Sequence, residues 1–188
     1  MALPTLLVVQ IDLVWSVIRL TTLQRALHEV LPHTQLDFWR TQMGATLDLA
    51  VIDWCKVFGS RSDDTHWTRL VPAERHDEIR EGLLASLGMD VAAWNNYWDE
   101  MKTYRDTNAA HLSLNPGARS QYVPRLDAAL QACRYYYQAY LYPARRADDP
   151  EGQYGYPADI QAYENQYRID FLESARAASR ATEGLEPR

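Results

Sequence analysis

Apolar side chains recur at three- and four-residue steps through most of this chain. No stretch between turn signals sustains the two-residue alternation of a half-buried strand. The first apolar run predicts a helix from about Thr5 to Leu31, ended by Pro32. A second begins near Thr34 and carries the stripe Trp39, Met43, Leu47, Ala50, Trp54 and Val57 until Gly59 stops it. Ser60 to Trp67 reads as a polar loop. Pro72 stands in the first turn of a third helix, which Gly88 closes. Asp90 caps a fourth, from Val91 to about Leu114, ended by Asn115-Pro116-Gly117. Pro124 opens a fifth, through Leu126, Leu130, Cys133, Tyr137 and Leu141, stopping at Pro143. The turn-rich stretch from Ala147 to Pro157 leads to a sixth, from about Ala158 to Ala178, and residues 181–188 read as a flexible tail. Long helices with short connections pack as antiparallel neighbours. The expected fold is therefore all-α: a bundle of about five to six helices, forming one domain over residues 1–180.

Composition narrows the class. A chain of 188 residues has the length of one domain, and such a domain buries roughly 70% of the surface its unfolded chain exposes. Hydrophobic residues at 47% and charged residues at 23% are ordinary globular values that argue against global disorder. The formal charge of −6 argues against coating duplex DNA by bulk electrostatics, and no recognition-helix pattern is present. A local basic site is still allowed. Nearly all the positive charge is arginine, which suits phosphate recognition better than lysine. Cys55 and Cys133 fall in apolar helical stretches, which fits two buried thiols in a reducing compartment rather than a bridge. No Cys and His cluster has zinc-ligand spacing, and no cofactor is expected. The apolar N-terminus, Met1 to Val9, lacks a basic leader, is interrupted by Gln10 and Asp12, and falls far short of a membrane span. It is read as a core helix of a cytoplasmic protein with no membrane partner.

Candidate chemistry concentrates on the fourth helix, in Tyr104-Arg105-Asp106-Thr107-Asn108-Ala109-Ala110-His111. Trp94, Trp98 and Met101 supply the apolar face ahead of it. From Arg105 the helix carries a cation, a carboxylate, an amide and an imidazole within two turns. Polar groups buried without partners cost about 1–3 kcal/mol each, so a core helix that keeps them either satisfies them or uses them. Arg105 and His111 are six residues apart, which on an ideal helix points them about 120° away from each other, with Asn108 between. One straight helix does not aim all three at one phosphate. Either the helix end is distorted before Asn115-Pro116, or the site is shared between two protomers. Read without a site, the segment is a helix end where Arg105 pairs with Asp106 or Asp99 and His111 meets the helix dipole.

The arginine, its polar follower Asp106, the small pair Ala109-Ala110 and then His111 resemble the signature of the HEPN superfamily. Arg61…His66 and Arg69…His76 repeat the spacing, but they fall in or across the loop and lack the helical setting. The loop from Phe58-Gly59-Ser60 to His66-Trp67, after Trp54-Cys55-Lys56, is similar to the abortive-infection branch of that superfamily. The resemblance implies an all-α bundle with the motif late on a long helix. It also implies a homodimer whose two motifs line one cleft, and metal-independent cleavage of RNA in toxin–antitoxin or anti-phage defence, with an antitoxin protein as a further partner. Arg105 and His111 would be the catalytic pair, supported by Asp106 and Asn108. Asp106 departs from the asparagine often found after the arginine, and a carboxylate there can neutralise Arg105. The alternative is a non-catalytic helical interaction or ligand-binding protein that keeps the fold.

Asp48 and Asp53 interrupt an apolar run. Either could partner Arg105 across the bundle, although Asp53 reads better as a solvent-facing partner of Lys56. Among Tyr135, Tyr136, Tyr137, Tyr140 and Tyr142, Tyr137 is expected in the core and at least one of Tyr135 and Tyr136 at a protein–protein contact. His66 and Trp67 border a cleft or, as the better reading, Trp67 plugs the bundle end. His28, His33 and His76 read as surface or helix-end histidines.

Overall fold

The computed structural model describes residues 3–110, 122–153 and 155–185. Six helical rods form it, and no strand occurs among the described residues. They are α1 (Leu3–Val30), α2 (Asp37–Phe58), α3 (His76–Leu87), α4 (Val91–Tyr104), α5 (127–148) and α6 (Ile160–Thr182). The protein is an all-α helical bundle.

α1 is the central rod. Its buried face, including Leu7, Ile11, Val14, Val17 and Ile18, packs on α2, α5 and α6. Burying each such side chain contributes roughly 1.5–3 kcal/mol. The apolar run does not end at Val9, however. By length and composition Thr5–Val30 is long and apolar enough to cross a membrane, with a mean hydropathy of 1.7. The expectation of a run far short of a span is corrected to that extent. In the bundle this helix meets protein: Trp54 of α2, Met101 of α4 and Tyr136 and Tyr137 of α5 belong to the same core. A smaller cluster of Leu27, Trp39, Met43 and Ala175 closes the other end.

α2 begins three residues later than its sequence suggests, because the Thr34 hydroxyl accepts from Leu36 N–H and holds a turn there. Gly59 ends it, where a Cβ would lie 2.3 Å from the Cys55 carbonyl oxygen. Gly88 closes α3 in the left-handed conformation, and Asp90 caps α4 by accepting from Ala93 N–H at 2.7 Å.

Pro143 does not stop the fifth helix. α5 runs as an α-helix over Asp127–Tyr136, a π-helical turn over Tyr137–Leu141, and a second α-helix over Tyr142–Asp148. Proline lacks an N–H and its ring crowds the carbonyl four residues back. The wider turn, closed by Tyr142 N–H on Tyr137 O, absorbs both problems. Asp159 caps α6 by accepting from Gln161 and Ala162 N–H. Arg134 grips Glu164 through two bonds of 2.8 and 2.7 Å, tying α5 to α6. α6 extends to Thr182, whose hydroxyl accepts from the Trp39 indole, and a short 3-10 turn follows over Glu183–Leu185.

Candidate functional site

The α-helical geometry of α4 stops at Tyr104, and Arg105–Ala109 form a π-helical turn. Ala110 N–H donates to Arg105 O, five residues back, at 2.8 Å. The local cause lies in the side chains. Thr107 Oγ1 turns back onto Thr103 O at 2.7 Å, a bond that competes with the regular ladder and bends helices. Of the two alternatives left open by the Arg105–His111 spacing, a distorted helix end is present at Arg105. The helix expected from Val91 to about Leu114 is α-helical only to Tyr104, and its expected end lies outside the described residues. His111 lies outside the described residues.

Within the turn, Arg105 Nε and Nη2 both reach Asp106 Oδ1 at 2.7 Å, with side-chain exposures of 21% and 45%. This pairing is the one expected of a helix end without a site. A partly exposed ion pair of this kind contributes about 0–1 kcal/mol. The Asn108 side-chain amide lies against the Thr107 hydroxyl, with Oδ1 at 2.7 Å from Thr107 Oγ1.

Neither Asp48 nor Asp53 pairs with Arg105. Asp48 accepts from Tyr104 O–H at 2.8 Å and so holds the last α-helical residue before the turn. Burial and this carboxylate keep the Tyr104 phenol protonated well past its ordinary range. Asp53 does pair with Lys56, but its carboxylate is only 14% exposed and also accepts from Ser16 of α1 at 2.6 Å. It ties two helices together rather than facing solvent. Cys55 lies under the site, donating weakly to Met101 O, and burial pushes its thiol up to about 12 against the pull of Arg105. Cys55 and Cys133 are free and buried. Among the described residues no group of three or more His, Cys, Asp or Glu side chains could hold a metal.

Tyr137 is core, as expected. Tyr136 is core too, which leaves Tyr135 as the one of the pair open to a partner contact, and Tyr135 lies over Gly82 of α3. His76 is a helix-end histidine, the first residue of α3; its Nε2 bonds to Val71 O and its ring meets Trp67 edge-on. Trp67 packs into the core, and the loop bearing it is anchored by Gln10 of α1, whose amide donates to Thr65 O and His66 O.

The loop that carries His66 and Trp67 does border a cleft, the weaker of the two readings its sequence allowed. With α3 and the start of α4 it encloses a cleft of about 650 Å³, lined by Arg61, His66, Trp67, Arg80, Trp94 and Trp98. The legible signal was the i, i+4 tryptophan pair on α4, which periodicity assigned to core alone. Trp98 donates its indole N–H to Phe58 O at 2.7 Å and Gly59 O at 3.2 Å, which clamps α4 to the end of α2. Lys102 Nζ sits 4.7 Å from the centre of the Trp98 ring, one turn before Arg105.

No family model, curated protein or solved structure matches this chain.

Proposed function

We propose that this protein is a HEPN-like, metal-independent endoribonuclease acting in toxin or anti-phage defence, with Arg105 and His111 as its catalytic pair. The observation that carries the reading is the π-helical turn over Arg105–Ala109. Such turns are rare, interrupt otherwise regular helices and cluster at functional sites. This one falls on the segment that resembles the family signature, so the straight-helix geometry that points Arg105 and His111 about 120° apart does not apply over Arg105–Ala109.

In the proposed reaction the ribose 2′-OH attacks the adjacent phosphorus while the bond to the 5′-oxygen breaks. A neutral His111 takes the 2′ proton, and the 5′-oxygen leaves with a proton from water. Arg105 turns from Asp106 to the phosphate oxygens and stabilises their growing charge. Asp106 keeps the guanidinium in place before substrate arrives, and Asn108 orients the neighbouring groups. The products are a 2′,3′-cyclic phosphate and a 5′-hydroxyl. The reading takes the active form to be a homodimer, with an antitoxin as a further partner.

One observation favours the second reading, a non-catalytic binding protein: Arg105 rests on a carboxylate. Incubating the protein in EDTA with a single-stranded RNA and the DNA of the same sequence separates the two. The ribonuclease reading expects RNA fragments ending in cyclic phosphate and intact DNA. Intact RNA across a panel of sequences, from folded protein, leaves the binding protein.

A further inference from the structure

The cleft between the loop after α2, α3 and α4 is not needed for the Arg105–His111 chemistry, yet it has the composition of a ligand site. Its walls include three indoles, Trp67, Trp94 and Trp98, and its lining includes two arginines in a chain whose formal charge is −6. Arg61 is exposed and its guanidinium makes no ion pair among the described residues. Arg80 pairs only with Asp77, whose side chain is 85% exposed. The histidine is also set for recognition. Thr68 N–H donates to His66 Nδ1 and the Thr68 hydroxyl lies 2.7 Å from the same atom, so Nδ1 accepts and Nε2 carries the ring proton. Burial and the nearby Arg61 and Arg69 push His66 down to about 4, so the ring keeps this neutral form. Indole side chains, two cations and a histidine in its Nε2–H form suit a base and its phosphate. The volume lies within the range of small-ligand sites.

Position points the same way. Trp98 and Arg105 are seven residues apart, which on a helix places them within about 20° of each other and about 10 Å apart along the axis. Lys102 lies between them, over the Trp98 ring.

We propose that this cleft is a nucleotide subsite: it holds one base and phosphate of a single-stranded RNA whose backbone continues past Lys102 to Arg105. The proposal rests on the ribonuclease reading for its substrate class, and its test separates the two. Binding of a fluorescein-labelled single-stranded RNA dodecamer is measured by anisotropy in EDTA for wild type, Arg61→Glu, Arg80→Glu and Trp94→Ala, with cleavage followed on the same oligonucleotide. The subsite predicts weaker binding, on the order of tenfold, for each arginine variant and for Trp94→Ala. The arginine changes leave the core untouched, so they carry the test if Trp94→Ala fails to fold. Wild-type binding that depends on Arg61 and Arg80, without any cleavage, keeps the subsite and overturns the ribonuclease reading. Cleavage with unchanged affinity in both arginine variants overturns the subsite and keeps the ribonuclease. Absence of RNA binding by wild type overturns the subsite.

Discussion

Gln10 shows how single residues set the geometry on which the site depends. It is wholly buried on α1, yet its amide is satisfied: Nε2 donates to Thr65 O and His66 O at 3.1 Å each, and Oε1 accepts from Tyr136 O–H at 2.6 Å. Periodicity assigns position 10 to an interruption of an apolar run, and only the fold reveals that the interruption is a tether for a loop more than fifty residues away. Gln10→Ala is expected to cost roughly 2–4 kcal/mol in urea unfolding, since it opens a cavity and orphans a buried phenol and two carbonyls. A change below about 0.5 kcal/mol would mean the tether contributes nothing to stability. Arg105 and Asp106 belong to the same scale. Their pairing was legible because the residues are adjacent, whereas the partner of Asp53 on α1 was not, because helix packing brings Ser16 to it.

Helix boundaries were legible where a residue's own chemistry sets them. Asp90 caps, Gly88 and Gly59 terminate, and Pro72 precedes the turn into α3, as their side chains or lack of them require. The two π-helical turns were not legible, because they arise from competition within an otherwise helical pattern. At Arg105–Ala109 the Thr107 hydroxyl takes a backbone carbonyl, and at Tyr137–Leu141 the chain makes room for Pro143. The α4 wall of the cleft, Trp94 and Trp98, was not legible for a related reason: periodicity reports which tryptophans face inward, not where three elements fail to close over them. Two glycines of α2 provide a test at this scale. Gly44 has nothing within 4 Å of a would-be Cβ and sits inside the helix, so Gly44→Ala is expected to stabilise by about 0.5–1 kcal/mol. Gly59→Ala meets the Cys55 carbonyl and displaces an acceptor of Trp98, so a loss of about 1–3 kcal/mol is expected. Chemical denaturation of both variants checks the opposite signs.

At the scale of the whole molecule, the bundle places the π turn of α4 against α2 and leaves two arginines beside three indoles in one cleft of an acidic protein. The fold class was legible in full, because helical periodicity and short connections constrain it independently of any one residue. The site was legible as a segment but not as a geometry. The central claim is that Arg105 and His111 cleave RNA from a site shared by two protomers. Its most direct test is cleavage of single-stranded RNA in EDTA by wild type, by Arg105→Ala and His111→Ala alone, and by an equimolar mixture of the two variants allowed to exchange subunits. Each variant alone should be inactive, and the mixture should recover about one quarter of wild-type activity, since half the dimers are mixed and each of those rebuilds one intact site. Wild-type rates from either variant alone, or a mixture as inactive as its parts, would contradict it.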